Sequence, residues 1–146
     1  MDKIKFVNNG QPAINDTNLN QMQTNIENAI NAIIVESGSN ANGSYIKWSD
    51  GTMICRKKVT GTAVIDDSYY GLYKTKDNAY FNLGDYPVPF VGELPDLSVQ
   101  FYGGNSQWIG AMQNRSLTHV GEIMVLSVSS KSAGAYYSVI AIGKWK

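Results

Sequence analysis

The sequence predicts a mainly β protein in which one N-terminal α-helix precedes an antiparallel β-sandwich. Between residues 15 and 36, apolar residues recur at alternating intervals of three and four, which is the period of an α-helix. From Tyr45 onward, apolar residues alternate with polar ones, which is the period of a half-buried strand. The predicted strands are short, and turns rich in Gly, Ser and Asn separate them, as in sandwiches and barrels.

The predicted helix covers residues 15–36, with Asn15 capping its first turn and Gly38 following its end. Asn and Thr are poor helix formers, so burial of an apolar seam has to stabilise it. Either the chain's own β domain or other copies of the chain can cover that seam, and its mixture of Ile and Leu permits two or three copies. The seam occupies the a and d positions of a heptad repeat at Leu19, Met22, Ile26, Ala29 and Ile33.

The remaining residues divide into an arm, a linker and a β domain. Residues 1–14 are predicted to form an N-terminal attachment arm, which is too short to fold alone. Residues 37–44, SGSNANGS, have the composition of a flexible linker. Residues 45–146 are predicted to form the sandwich, which begins with a hairpin that turns at Asp50-Gly51.

The strands of this domain follow from its alternating pattern. The tyrosine-rich stretch 61–78 is predicted to be mostly loop, and prolines mark the stretch 85–96 as an edge or a loop. The segment 130–135 is predicted to be a turn. Strands are predicted at 45–48, 52–60, 79–83, 97–102, 107–112, 122–129 and 136–145.

Composition excludes several classes of partner. The 146 residues carry no net charge, so nothing indicates binding to nucleic acid or to an anionic membrane. No apolar run is long enough to span a membrane, and the N-terminus lacks the apolar region of a signal peptide. We therefore expect synthesis in a cytoplasm, with release by lysis or as part of a larger particle. One cysteine, Cys55, rules out a disulfide within the chain.

The sequence gives no positive argument for catalysis. His119 is the single histidine, and no HxH, CxxC or GxSxG pattern accompanies it, so we expect no metal, no cofactor and no catalytic triad. Asp66 and Asp67 could be considered for glycoside hydrolysis, but a solvated loop explains them better. We therefore predict that the protein is not an enzyme.

Aromatic residues beside amides are the best candidates for a ligand site. A sugar needs a ring face for its C–H groups and polar partners for its hydroxyls, and Trp108 follows two amide residues closely. The alternative is that Trp108 belongs to the core of its strand. The predicted ligand-binding residues are Trp108, Asn105, Gln107, Tyr136, Tyr137 and Tyr70.

Residues 6–22, FVNNGQPAINDTNLNQM, form a phrase that leads into the predicted helix. This phrase resembles the N-terminal segment of tail and baseplate proteins from phages of Gram-positive bacteria, with Asp16 where alanine is commoner. Residues 43–55, GSYIKWSDGTMIC, are similar to the opening hairpin of tail-fibre C-terminal domains, and YPVPF at 86–90 with PDLSV at 95–99 resembles a second phrase of theirs. Residues 137–145, YSVIAIGKW, resemble their closing phrase, with Ser138 or Val139 where an aromatic residue is commoner.

The resemblance implies a lectin-like domain of the H-type, assembled as a trimer with ligands at or near the subunit interfaces. It favours three copies around the helical seam, which would then form a coiled-coil stalk. We therefore expect a homotrimeric tail receptor-binding protein of the virion, whose arm contacts baseplate or tail proteins and whose sandwich binds host cell-wall carbohydrate. The alternatives are a structural tail component without a receptor site and, less favoured, a small glycan-degrading enzyme.

Overall fold

The computed structural model describes residues 16–31, 33–102 and 106–146. Its helix, α1, is Asp16–Asn31, and strands follow it along the chain. Within these residues the protein is mainly β with one helix, as the sequence predicts. The strands are β1 (Ile34–Asn40), β2 (Gly43–Trp48), β3 (Thr52–Tyr69), β4 (Leu72–Thr75), β5 (Phe81–Asn82), β6 (Val91–Phe101), β7 (Gln107–Gln113), β8 (Glu122–Ser127) and β9 (Lys131–Lys144).

The described strands form one antiparallel sheet. Its longest ladder joins β3 to β9, from Thr52 opposite Lys144 to Ile65 opposite Lys131. On one side of the molecule the strand order is β1-β2-β3-β9-β6. Beyond Ile65 the end of β3 pairs with β4, which pairs with β8, and β8 also pairs with β5 and β7. The two-layered sandwich remains a prediction, whereas the antiparallel, mainly β architecture is confirmed.

The core lies on the face of the sheet to which alternate residues of β3, β8 and β9 point. Each fully buried aliphatic or aromatic side chain contributes about 1.5–3 kcal/mol, so this cluster is the main source of stability. Loop residues from the stretch between β5 and β8 close it. Its buried members are Met53, Cys55, Ala63, Ile65, Leu83, Tyr86, Phe90, Val120, Ile123, Val125, Ala135, Tyr137, Val139 and Ala141.

The segment that the sequence predicts as a flexible linker is a β-hairpin. β1 pairs with β2, with Ser39 opposite Ser44 and Asn40 opposite Gly43. The Asn40 side chain accepts a hydrogen bond from Asn42 N (2.8 Å) and donates one to Pro87 O (2.8 Å), so it holds both the turn and the neighbouring loop. The linker prediction for 37–44 is therefore wrong, because tertiary partners order a segment whose composition alone indicates flexibility.

The helix is shorter than predicted, and its seam is exposed. It ends at Asn31 rather than at residue 36, because the residues from Ile34 onward enter strand β1. Ala29 is exposed, and the fractional exposures of Leu19, Met22, Ile26 and Ile33 are 52%, 40%, 56% and 50%. The chain's own β domain therefore does not cover the seam. The predicted arm, residues 1–14, lies outside the described residues.

Two further strand predictions are corrected. The stretch predicted as loop at 61–78 contains the second half of β3, a turn at Tyr70-Gly71, and β4. The turn predicted at 130–135 is the start of β9, where Ala135 pairs with Gly61. In both places inward-facing small residues continue the alternating pattern, so the ladder extends further than the bulky residues alone indicate.

Candidate functional site: an aromatic and charged face on β7, β8, β4 and β3

A row of four cross-strand partners crosses one outer face of the sheet. Trp108 on β7 lies opposite Leu126 on β8, Leu126 lies opposite Lys74 on β4, and Lys74 lies opposite Asp67 on β3. Residues that face each other across a ladder project from the same side of the sheet, so the four side chains share one surface. We call this surface the Trp108 face. Neighbouring strands are about 4.8 Å apart, so the row spans about 14 Å, the length of a short saccharide.

Lys74 is the polar centre of this face. Its ammonium group lies 3.1 Å from Asp67 Oδ2 and also binds Asp77, while its side chain is only 8% exposed. The hydrogen bond that Lys74 donates to Asp77 raises the pKa of Lys74, and the same bond lowers the pKa of Asp77. Lys74 and Asp77 are therefore both charged near neutral pH. The two carboxylates that bind Lys74 remain open to solvent, with side-chain exposures of 41% for Asp67 and 75% for Asp77.

An apolar floor lies between Lys74 and the edge of β7. Leu126 and Met124 are 8% and 7% exposed although they point away from the main core. β7 makes room for them at its bulge between Ile109 and Ala111, where Gly110 has no side chain. A Cβ added at Gly110 would lie only 2.6 Å from Met124 Cε. Tyr80 covers the other end of the floor, since its hydroxyl lies 3.2 Å from Asp77 Oδ1 and 3.6 Å from Met124 Sδ.

Two tyrosines extend the face at the tip of the β3–β4 hairpin. The Lys74 ammonium lies 5.8 Å from the centre of the Tyr69 ring, and the Tyr70 ring meets Tyr69 edge-on at 4.9 Å. Tyr70 is 94% exposed and has a φ of 48°. A left-handed conformation costs a residue with a side chain about 1–2 kcal/mol, and glycine or asparagine is usual at this position of a tight hairpin. Tyr70 therefore holds a large ring in solvent at a steric cost that no burial offsets.

The chemistry of the face suits a neutral saccharide. Trp108, at 38% exposed, offers an apolar surface to the C–H groups of a sugar, and the carboxylates of Asp67 and Asp77 can accept hydrogen bonds from its hydroxyls. Lys74 neutralises one of the two carboxylates, so the cluster keeps an excess negative charge. That excess disfavours a phosphate or carboxylate ligand at this position.

Of the residues predicted from the sequence, Trp108 belongs to the Trp108 face, and Tyr70 lies at the neighbouring hairpin tip, where its ring contacts Tyr69. Tyr136 is exposed elsewhere, on β9, where its ring lies 6.2 Å from that of Tyr102. Asn105 lies outside the described residues.

The predictions for Tyr137 and Gln107 as ligand contacts are corrected. Tyr137 is fully buried between the rings of Phe81 and Phe101, and burial raises the pKa of its hydroxyl to about 12. Gln107 is 8% exposed and points to the opposite side of β7 from Trp108, and both polar atoms of its side chain are buried without a hydrogen-bond partner. Both errors have the same cause, since adjacent strand residues point to opposite faces.

Sequence reasoning missed Lys74, Asp77 and Tyr80. It placed Tyr69 in a tyrosine-rich loop and interpreted Asp67 as part of a solvated loop. The available signal was Tyr70-Gly71, a two-residue turn between two alternating runs. A hairpin at that turn places Lys74 near Asp67, but its register needs the positive φ of Tyr70, which sequence composition does not predict.

Comparisons of the chain with protein-family models, with curated proteins and with solved structures found no match. Among the described residues, no three His, Cys, Asp or Glu side chains come together as a metal site. The described helix is neither long nor apolar enough to cross a membrane.

Proposed function

We propose that the protein is a homotrimeric receptor-binding protein of a phage or prophage tail, which attaches the particle to carbohydrate on the host cell wall. The observation that carries the binding function is the Trp108 face, where exposed aromatic rings flank solvent-accessible carboxylates. In this proposal the sheet forms the lectin-like sandwich. The phage setting rests on the sequence resemblance of the arm and of the β domain.

Self-association is supported by the helix. The seam residues Met22 and Ile26 are 40% and 56% exposed, and a surface helix with such a stripe gains its stability by covering it. Three parallel helices would gather three β domains at one end, while the arms at the other end contact baseplate or tail proteins. Three linked sites of weak individual affinity raise the overall avidity by orders of magnitude.

The decisive experiment compares Trp108→Ala with Tyr136→Ala. Both variants remove an aromatic ring of similar exposure, 38% and 42%, but only Trp108 lies on the proposed face. Labelled full-length protein is applied to a panel of isolated Gram-positive cell walls and to an array of neutral saccharides. We expect Trp108→Ala to weaken binding about tenfold per site and Tyr136→Ala to leave it near the wild-type value, with the native mass of both unchanged.

Three outcomes would count against the proposal. Wild-type protein that binds neither walls nor saccharides would favour a structural tail component without a receptor site. Equal binding by Trp108→Ala and wild type, or loss of folding in that variant, would remove the Trp108 face as the site. Release of sugar from the walls would indicate a glycan-degrading enzyme instead, and substitution of Asp67 should then stop the release.

A further inference from the structure

A second polar surface lies on the outer side of β1, β2, β3 and β9. It is an open groove of about 360 Å³, and we call it the Arg56 groove. Ser39, Ser44 and Arg56 occupy one cross-strand row, while Lys58 and Ser138 face each other in the next. Asn40, Gly43 and Lys57 complete its lining.

The groove is shaped by a close approach of the β1–β2 turn to β3. Gly43 has a φ of 127°, and a Cβ added there would lie 2.2 Å from the carbonyl oxygen of Arg56. Only glycine allows this approach, since any side chain would collide with backbone. The turn therefore forms one wall of the groove, directly beside the two cationic side chains.

Arg56 and Lys58 have no ionic or hydrogen-bond partner among the described residues. They are two residues apart on one face of β3, so their side chains start about 7 Å from each other. Like charges at that distance repel, and both side chains are exposed. Lys57, the third cation of the lining, is engaged elsewhere, because its ammonium donates to Asp85 O at 2.8 Å. Their charged groups are therefore available to an anionic ligand.

The lining of the groove offers two positive charges and several hydroxyl groups that can donate hydrogen bonds. Ser39, Ser44 and Ser138 present hydroxyls on both sides of the two cations, and no carboxylate belongs to the lining. The Asn40 amide is already satisfied by Pro87 and Asn42. An arginine fork, an ammonium and hydroxyls from two directions together match an anion with three or four oxygen acceptors better than a planar carboxylate.

We propose that the Arg56 groove binds a phosphate group. Arg56 donates two parallel hydrogen bonds to it, Lys58 supplies a second positive charge, and the serine hydroxyls donate to the remaining oxygens. The groove lies on a different surface from the Trp108 face, whose excess negative charge repels phosphate. The two sites therefore sort ligands by charge, with neutral saccharide on one and phosphate on the other. The phosphate belongs either to a small soluble compound or to a polymer that carries phosphate groups.

The test uses full-length protein at low ionic strength with three probes: inorganic phosphate, a long-chain polyphosphate and neutral dextran. Binding is measured by calorimetry, and the site is located by amide chemical-shift changes. We expect saturable binding of phosphate or polyphosphate, with shifts at Ser39, Ser44 and Ser138, and at least tenfold weaker binding in Arg56→Gln and in Lys58→Gln. Lys76→Gln is the matched control, since it removes the same charge from a side chain 63% exposed that pairs with Asp66 outside the groove.

Each outcome decides the proposal. Saturable binding of inorganic phosphate that Arg56→Gln abolishes supports a site for a small phosphate compound. Binding of polyphosphate alone, lost in the same variant, supports a phosphate polymer. Equal weakening by Lys76→Gln and Arg56→Gln means non-specific charge attraction and overturns the proposal, as does the absence of binding to both probes. Neither groove variant should lower the unfolding midpoint, because neither side chain has a partner to lose. Dextran is the uncharged control. Wall binding through the Trp108 face can fail independently, and the comparison of Trp108→Ala with wild type on isolated cell walls reports on that failure.

Discussion

Tyr70 allows the proposed binding function to be tested separately from stability. Its φ of 48° is unfavourable for an aromatic residue, and its ring is 94% exposed. We predict that Tyr70→Asn raises the free energy of unfolding by about 0.5–1 kcal/mol, since asparagine tolerates this turn and the lost edge contact with Tyr69 is solvent-exposed. Urea denaturation measures the change, and saccharide binding should weaken in the same variant. A less stable variant would instead give Tyr70 a structural role.

A buried thiol and a buried tyrosine hydroxyl are expected to make the folded protein less stable at alkaline pH. Burial raises the pKa of Cys55 from 9.0 to about 11 and that of Tyr137 from 10.0 to about 12. Above pH 9 the unfolded chain loses its thiol proton first, so it binds fewer protons than the folded chain, and stability falls as pH rises. The expected slope is about 1.4 kcal/mol per pH unit for each group once its unfolded pKa is passed.

The measurement is urea unfolding at about pH 8 and about pH 10, a window in which the thiol is the first of the two groups to contribute. Cys55→Ala is the informative comparison, because it removes the thiol while leaving Tyr137 in place. Its baseline stability should be lower, since it leaves a small cavity, but its stability should decline less with pH. The same decline in both proteins would mean that Cys55 is not the group responsible.

At the level of single elements, periodicity identified the helix and most of the strands, missed β1 and β4, and misjudged where several elements end. The heptad seam predicted α1 correctly as a helix, but the prediction extended into Ile34 and Val35. Both are β-branched and favour strands once an edge is available, and β2 supplies that edge. The residues near this boundary do not indicate which strand edge will be available for pairing, so the end of the helix could not be predicted.

β3 shows a second limit of the same kind. The predicted strand ends at residue 60 because the tyrosine-rich stretch 61–78 indicates a loop, yet the strand runs on to Tyr69. A Cβ at Gly61 would lie 3.0 Å from the Phe81 ring, so this glycine makes room for a side chain 20 positions away rather than turning the chain. The Trp108 face depends on that continuation, because Asp67 reaches Lys74 only when β3 extends past Ile65. Trp108 could be selected from local composition, whereas its charged neighbours required the register.

For the whole molecule, the exposed seam of α1 predicts assembly into a trimer. A trimer of 16.0 kDa chains has a mass of about 48 kDa, and we expect that value from light scattering after size exclusion. Ile26→Asp places a charge in the seam and should yield monomers, because an unpaired buried carboxylate is strongly unfavourable. Asn28→Asp adds the same charge at an exposed position outside the seam and should keep the wild-type mass.

A comparison of Ile26→Asp with Trp108→Ala connects assembly to adhesion. If three Trp108 faces act together, the Ile26→Asp monomer should bind cell walls at least a hundredfold more weakly than wild type, while its affinity for a single soluble saccharide stays unchanged. The Trp108→Ala trimer should show the converse, with intact mass and weak binding in both assays. A wild-type protein that is monomeric, or an Ile26→Asp variant that keeps its mass and thermal stability, would contradict the coiled-coil stalk. The Trp108 face would then have to achieve adhesion as a single site, and its affinity for one saccharide would equal its affinity for the wall.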